Sequence, residues 1–260
     1  MDFICIGVPY WLGKRQATAA VDAVKASGIA GELGAEWVDI TPDFDAYSDP
    51  VVAVNVALAE TIRAHSDKTP FIFAGECVTA LGAMKGLEDK QPAVLWYDAH
   101  GDFNTPDTTP SGFLGGMPLA ALVGLGNESL MQRIGLDPIP PSDVILTDAR
   151  DLDPEEEELL RGTEVRHLPD LDALLAADLP RKPLYIHFDT DIVDPAEMPA
   201  MNYPAADGPS VMHTESTLVR VAQQADVAGI LFSLWNHEKP GAQRSLDASL
   251  RLVRAFAEYA

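Results

Sequence analysis

Short apolar runs alternate with segments of helical periodicity along almost the whole chain. A strand that is covered on both faces needs no polar alternation, so each run predicts a buried strand. These runs lie at 3–8, 36–40, 70–73, 93–97, 143–147, 164–168, 184–189 and 228–234. Apolar residues at helical spacing predict helices between them, at 15–29, 51–65, 78–89, 117–124, 155–161, 170–176, 213–225 and from about 243 onward. The alternation predicts a single α/β domain over 1–260, with three layers (α/β/α) around a mostly parallel sheet of roughly eight strands.

Composition limits the kinds of partner that the protein can bind and indicates its cellular compartment. The chain has 40 acidic against 18 basic residues, a net charge of −22, which disfavours nucleic acids and anionic membrane surfaces as partners. Only Cys5 and Cys77 occur, so no disulfide framework is expected. The N-terminus lacks the long apolar core of a signal peptide, and no stretch reaches the roughly 18 apolar residues that a membrane helix requires. These features predict a soluble, cytoplasmic protein.

Metal-capable side chains lie at the ends of two of the predicted strands. Asp98, His100 and Asp102 follow the fourth run at a spacing of two, while Asp189 ends the seventh run and Asp191 comes two residues later. Alternate residues of an extended segment point to one side, and the carboxyl ends of parallel strands meet at one edge of a sheet. Carboxylates and an imidazole would therefore gather around one point, where cations must neutralise the acids. The sequence predicts a metal centre, and the alternative is that each cluster is a solvated loop.

Two motifs resemble the metal motifs of the ureohydrolase superfamily, which includes arginase, agmatinase and formimidoylglutamase. They are D-A-H-x-D at 98–102 and D-x-D-x-x-D-P at 189–195, and the continuation N-T-P-x-T-T-x-S-G at 104–112 is similar to arginases in particular. The resemblance extends over about 75–240. It implies an arginase-like fold, two divalent ions, expected to be Mn²⁺, and hydrolysis of linear C–N bonds in a small amidino or guanidino substrate. A homo-oligomer is compatible with it.

The resemblance also implies a role for each metal-capable residue. Asp98 and Asp189 would bridge the two ions. Asp102 would bind one ion, and His100 and Asp191 the other. Two such ions can share a water molecule and lower its pKa, so that the water attacks a planar carbon. Asp102 is expected to hydrogen-bond this water and later to protonate the leaving amine, which makes Asp102 and His100 the predicted catalytic residues.

Two residues beside the second motif have other expected roles. The resemblance implies that Asp194 fixes the loop rather than binding an ion, and that position 187 usually carries a small residue. His187 is therefore expected to be a packed or hydrogen-bonded histidine, with metal binding as the alternative. The loop at 195–209, rich in proline and alanine, is expected to form the rim of the site.

Polar residues beyond the first motif are expected to bind an amino-acid-like substrate. Asn104, Thr109 and Ser111 match positions that bind the substrate α-carboxylate in arginases. Asp153 matches the position that holds the α-ammonium, with Glu156 near it. Neutral donors and one acid complement a zwitterion. The alternative is that the segment containing Thr109 and Ser111 is only a turn, and that Asp153 and Glu156 lie in the solvated start of a helix.

Two positions depart from the superfamily pattern near the metals. Cys77 stands where the family usually has a histidine ligand. A thiolate is a softer donor, so this position should hold Mn²⁺ more weakly or tolerate Zn²⁺ better. The alternative is a buried thiol that binds nothing. Gly115 stands where arginases have a histidine thought to transfer protons, and a glycine cannot do so.

The third departure concerns the guanidinium. Leu234 aligns with a glutamate that faces the guanidinium in the family, and an unpaired guanidinium beside a leucine is costly to bury. Glu238 could replace that glutamate only if its loop bends back. We therefore expect N-hydroxyarginine or another modified guanidine to be a better substrate than arginine. Two alternatives stay open: a hydrolase of neutral amide or formimidoyl groups, and a metal-depleted binding or regulatory relative, which the retained acids disfavour.

Overall fold

One parallel sheet runs through the centre of the computed structural model, which describes residues 2–15 and 19–260. Within these ranges it has eight strands: β1 (Phe3–Val8), β2 (Glu36–Asp39), β3 (Thr69–Ala74), β4 (Ala93–His100), β5 (Val144–Asp151), β6 (Arg166–Leu168), β7 (Leu184–Asp189) and β8 (Val227–Ser233). Their order across the sheet is β2-β1-β3-β8-β7-β4-β5-β6, and neighbouring strands are parallel throughout. The predicted α/β fold is confirmed, with the sheet wholly rather than mostly parallel.

Helices cover both faces of this sheet. In the described ranges they are α1 (Ala19–Ala26), α2 (Ile29–Glu32), α3 (Pro50–Ala64), α4 (Ala80–Gly86), α5 (Pro118–Leu122), α6 (Glu128–Ile134), α7 (Pro154–Arg161), α8 (Leu171–Ala176), α9 (Val211–Gln224) and α10 (Ala242–Tyr259). One apolar cluster takes side chains from α3 to α7, and a second takes them from α1, α2 and α8 to α10. Strand β4 contributes Trp96 to the first and Leu95 to the second, because successive side chains of a strand point to opposite faces. The three-layer arrangement is therefore confirmed.

Three helix predictions were wrong in detail, two of them away from the cavity. The helical pattern at 15–29 is divided, because Gly28 has a φ of +79° and separates α1 from α2; residues 16–18 lie outside the described part of the chain. No helix was predicted between the helix at 117–124 and the strand at 143–147, but α6 lies there. This helix has seven residues, too few to show a clear period, although Leu130, Met131 and Ile134 are buried.

No helix among the described residues combines the length and the apolar character needed to span a membrane.

The four central strands, β3, β8, β7 and β4, end at the same edge of the sheet. Strand β4 continues beyond the predicted run to His100, with a shift in its pairing with β5 between Asp98 and His100. After β3 the chain forms a 3₁₀ turn over Cys77–Thr79 and then α4, where a longer helix over 78–89 was expected. Because parallel strands gather distant parts of a sequence at their carboxyl ends, this edge is where a site is expected.

Candidate metal centre

The predicted site residues come together at this edge, around a cavity of about 490 Å³. Cys77 follows β3, Asp98 and His100 end β4, and Asp189 ends β7 with Asp191 in the turn behind it. The cavity wall includes every residue predicted to bind metal or substrate, namely Cys77, Asp98, His100, Asp102, Asn104, Thr109, Ser111, Asp153, Asp189 and Asp191. The segment at 201–204, within the loop expected to form the rim, also lines it.

A first group of metal-capable donors consists of Asp98, His100 and Asp191, whose donor atoms lie within 4.8 Å of one another. The Nδ1 atom of His100 is 3.3 Å from Asp98 Oδ1 and 3.2 Å from Asp191 Oδ2. Burial alone would lower the pKa of His100, but hydrogen bonds to Asp191 and Asp98 raise it to about 12. The imidazole nitrogen and the two carboxylates therefore surround one point, where a divalent cation could bind.

A second group consists of Cys77, Asp98, His187 and Asp189, again with donor atoms within 4.8 Å of one another. The thiol of Cys77 donates to Asp189 Oδ2 at 2.9 Å, and its sulfur is 3.3 Å from Ser233 Oγ. Asp189 Oδ1 accepts from the backbone N–H of Asp191 at 2.9 Å. Asp98 belongs to both groups, whereas Asp189 belongs to this one. That both carboxylates bridge two ions stays a prediction.

His187 was not included in the predicted ligand set. It is packed, as expected, with its ring stacked on Trp96 at a centroid distance of 3.6 Å. The expected alternative of a hydrogen bond is absent, since neither ring nitrogen has a partner among the described residues. Its position on β7, two residues before Asp189 and so on the same face of the sheet, was a signal that sequence alone could have supplied.

Asp102 departs from the extended geometry that the D-A-H-x-D spacing predicted. Its φ is +48°, and its carbonyl oxygen accepts from the backbone N–H groups of Leu119 and Ala120 at the start of α5. The strand alternation therefore ends before Asp102, because the chain turns there to meet the helix. The side chain is still buried in the cavity wall, and its Oδ2 has no hydrogen-bond partner within the described ranges.

The concentration of acids in this buried place governs its electrostatics. Burial, together with Asp98 and Asp189, raises the pKa of Asp102 well above its usual range. Burial and Asp98 raise the pKa of Asp191 to about 6. Burial and the nearby acids also raise the pKa of the Cys77 thiol. Carboxylates that resist ionising together, beside imidazole and thiol donors, fit divalent cations, which would neutralise the charge.

The residues predicted to bind substrate line the cavity together with the metal-capable residues. Asn104 Nδ2 donates to Asp153 Oδ2 at 3.0 Å. Asp153 is the N-cap of α7, and Glu156 completes a capping box by accepting from the backbone N–H of Asp153 at 3.1 Å. Glu156 also accepts from the N–H of Phe103 at 2.8 Å, so it ties the loop after β4 to α7. Thr109 and Ser111 lie further out, with their hydroxyl oxygens 3.4 Å apart.

The positions that depart from the superfamily pattern also line the cavity. A Cβ atom at Gly115 would lie 2.3 Å from the ring of Phe113, so that ring occupies the space of a side chain. Leu234 is buried in the cavity wall. Glu238 is exposed, and its backbone N–H donates to Asn236 Oδ1 at 2.9 Å. The loop therefore does not bend Glu238 back into the cavity that the described residues form.

Sequence reasoning also missed Glu76 and the aromatic rim. Glu76 is buried in the cavity wall and accepts from the backbone N–H of Leu12 at 3.0 Å, while burial raises its pKa to about 8. The rings of Trp11 and Phe113 are 6.1 Å apart, and those of Phe113 and Tyr203 are 5.4 Å apart. These residues come from separate loops with no shared motif, so no pattern pointed to them.

Fold and site together define an α/β protein with a candidate two-ion metal centre at the carboxyl edge of its sheet. The sequence model of the arginase family matches residues 7–231, and the chain belongs to the arginase family. This confirms the resemblance to the ureohydrolase superfamily.

Individual relatives agree with that assignment. The chain is 35% identical over 165 residues to N(omega)-hydroxy-L-arginine amidinohydrolase from Streptomyces lavendulae, a match that spans 62% of this chain and only 58% of that protein. It is 30% identical over 256 residues to arginase from Brevibacillus brevis, which spans 85% of this chain and 86% of the relative. The crystal structure of arginase from Bacillus subtilis superimposes with a TM-score of 0.86 at 26% identity, over 99% of this chain and 98% of that one.

Proposed function

We propose that this chain is a metal-dependent hydrolase of linear amidino or guanidino groups in a small, amino-acid-like substrate. The observation that carries the proposal is the pair of donor groups that share Asp98 and face one cavity, which Asn104, Thr109, Ser111 and Asp153 also line. Membership of the arginase family supports the reaction class.

The donor sets suit two divalent ions. Asp98, His100 and Asp191 offer mainly oxygen, which suits Mn²⁺, while Cys77 and Asp189 contribute to the other position. Two such ions, when bound, would supply the Lewis acidity that lowers the pKa of a water molecule and polarises a planar carbon.

Asp102 is our candidate for proton transfer. Its Oδ2 is buried at the cavity and has no hydrogen-bond partner among the described residues, so it can accept a proton from the attacking water. The same oxygen would return that proton to the leaving nitrogen when the C–N bond breaks. Gly115 has no side chain to share this proton transfer, and the ring of Phe113 fills the space that a side chain would take.

The residues predicted to bind substrate would hold its amino-acid part. Asp153 offers a carboxylate to an ammonium group, and its hydrogen bond from Asn104 orients it. Thr109 and Ser111 offer hydroxyl donors to a carboxylate at the open end. The capping box through Glu156 would keep Asp153 in place while the substrate binds.

Leu234 supports a modified guanidine rather than arginine as the substrate. A leucine in the cavity wall gives a guanidinium no charge partner, and the exposed Glu238 supplies none. The relative from Streptomyces lavendulae is named for N(omega)-hydroxy-L-arginine, which agrees with this choice. The same apolar wall favours one second candidate, hydrolysis of a neutral amide or formimidoyl group.

A substrate panel tests the proposal. Metal-free protein is reloaded with Mn²⁺ or Zn²⁺ and given arginine, N-hydroxyarginine, agmatine, a formimidoyl amino acid and simple amides. We expect N-hydroxyarginine to be hydrolysed fastest, with activity lost in Asp98→Asn and retained in Asp247→Asn, an exposed acid on α10. Turnover of only formimidoyl or amide compounds would support the second candidate. Metal binding without turnover of any compound would refute both.

A further inference from the structure

His187 is a buried imidazole whose nitrogens the fold does not use. Its exposed fraction is 0%, and neither ring nitrogen has a hydrogen-bond partner within residues 2–15 and 19–260. A buried polar atom left without a hydrogen-bond partner destabilises the folded state. A phenylalanine would fill the same space without that cost, so packing alone does not account for a histidine here.

The imidazole ring is held in one orientation by its neighbour across the sheet. Trp96 lies opposite His187 in the pairing of β4 with β7, and the two rings stack with an interplanar angle of 15°. Trp96 also donates its Nε1–H to Asp98 Oδ2 at 3.1 Å. One indole therefore fixes both the imidazole and the carboxylate that the two donor groups share.

The orientation directs a nitrogen of His187 toward the thiol and carboxylates of the second donor group. Donor atoms of Cys77, Asp98, His187 and Asp189 lie within 4.8 Å of one another. Because neither ring nitrogen of His187 is engaged by a described residue, one of them is available to bind a metal ion. One sulfur, one nitrogen and two carboxylates are a donor set for a four-coordinate ion of the zinc class.

We propose that His187 is a metal ligand and that, with Cys77, Asp98 and Asp189, it forms a site for a zinc-class ion such as Zn²⁺ or Co²⁺. This inference rests on the metal centre of the proposed function. The position at Asp98, His100 and Asp191 lacks sulfur and is the one suited to Mn²⁺. The two ions of the centre would therefore differ in kind. When the ion binds, the S–H bond of Cys77 breaks, the sulfur bonds to the metal, and the proton passes to solvent.

A titration of the metal-free protein with Co²⁺ tests this assignment, with Zn²⁺ affinity measured by competition against a chelator. His187→Phe keeps an aromatic ring on Trp96 and removes both nitrogens. Tyr185→Phe is the matched control, because Tyr185 lies two residues earlier on β7, is equally buried, and has a hydroxyl without a partner among the described residues. It removes a buried polar atom from the same strand face and leaves all four donors of the group in place.

In the unaltered protein and in Tyr185→Phe, the first equivalent of Co²⁺ should give thiolate charge-transfer absorption and the strong visible bands of four-coordinate cobalt. His187→Phe should bind this ion at least about 100-fold more weakly, because losing even an indirect partner of a ligand costs about 10- to 100-fold. Unchanged affinity and spectrum in His187→Phe would overturn the inference and leave the proposed function standing. If the unaltered chain binds no divalent ion, the proposed function fails as well.

A second measurement covers the case in which His187→Phe does not fold, as judged by circular dichroism. X-ray absorption of the unaltered protein with one equivalent of Zn²⁺ should show one sulfur and one imidazole among the ligands. A zinc shell without sulfur, or without imidazole, would overturn the inference.

Discussion

Replacing Leu234 by glutamate tests whether this one side chain sets the preference against arginine. Leu234 is buried in the cavity wall, directly after β8, and the nearest acid along the chain, Glu238, is exposed. Leu234→Glu would place a carboxylate in the wall of the same cavity as the metal-capable residues. We expect arginine hydrolysis to improve, because a desolvated guanidinium gains a charged partner.

The size of the effect follows from the kind of contact. A hydrogen bond to a charged group contributes about 1.5–3 kcal/mol, which corresponds to about 10- to 150-fold in kcat/KM. Burying a new carboxylate in the cavity that Asp102 and Asp189 also line opposes this gain, since burial and nearby acids already raise the pKa of Asp102 and of Cys77. Cations at the metal positions would offset that repulsion, so the gain should be measured with metal bound.

The assay compares kcat/KM for arginine and N-hydroxyarginine in the unaltered protein and in three variants. Leu234→Gln matches the shape of Leu234→Glu without its charge, and Glu238→Gln removes the exposed acid. We expect only Leu234→Glu to gain arginine activity. Robust arginine turnover by the unaltered protein, at about 1–10³ s⁻¹, would refute the reasoning. So would an equal gain in Leu234→Gln, or a large loss in Glu238→Gln.

Three further outcomes test the centre itself. Asp98→Asn removes the carboxylate that both donor groups share, so bound metal measured by elemental analysis should fall at least about tenfold; full metal content would contradict the assignment. Cys77→His should raise Mn²⁺ occupancy, because imidazole suits Mn²⁺ better than thiolate does. Cys77→Ala should lower the occupancy, because it removes a donor. Equal Mn²⁺ occupancy in the unaltered protein and both variants would mean that Cys77 only packs. Burial raises the pKa of Glu76 from 4.5 to about 8, so the folded metal-free protein keeps a proton that the unfolded chain releases. The free energy of unfolding should therefore fall as the pH rises from 4.5 to about 8, by on the order of a few kcal/mol. The melting temperature should fall with it, and Glu76→Gln should reduce this slope. Identical slopes would exclude Glu76 as the cause.

The strands and the gathering of the donors could be predicted, because both depend on local pattern. A run such as 93–97 has few alternatives to a buried strand, and the carboxyl ends of parallel strands meet wherever the strands lie in the sheet. Asp98 and Asp189 therefore face one cavity as expected. The local geometry of Asp102 could not be predicted in the same way, because its left-handed turn depends on contacts with the start of α5.

The side chains that surround Cys77 could not be predicted from the sequence, for a different reason. Cys77 follows β3 and His187 lies on β7, and these strands are separated in the sheet by β8. Alternation of strands and helices predicts that the sheet is parallel, but it does not give the order of its strands. The sequence therefore predicts a soft metal ligand at Cys77 and a packed histidine at His187, with no link between the two. Only the strand order shows that the thiol and the imidazole belong to one donor group.

Trp96 links the two donor groups, and this explains why neither can change alone. Its ring face supports His187, and its Nε1–H holds Asp98 Oδ2, while Asp98 Oδ1 accepts from the backbone N–H of His100 at 2.8 Å. A shift of this indole would move a donor of the second group and the carboxylate common to both. If the thiol and imidazole bind an ion as proposed, a change of that ion should alter the geometry at His100, because Asp98 is common to both donor groups.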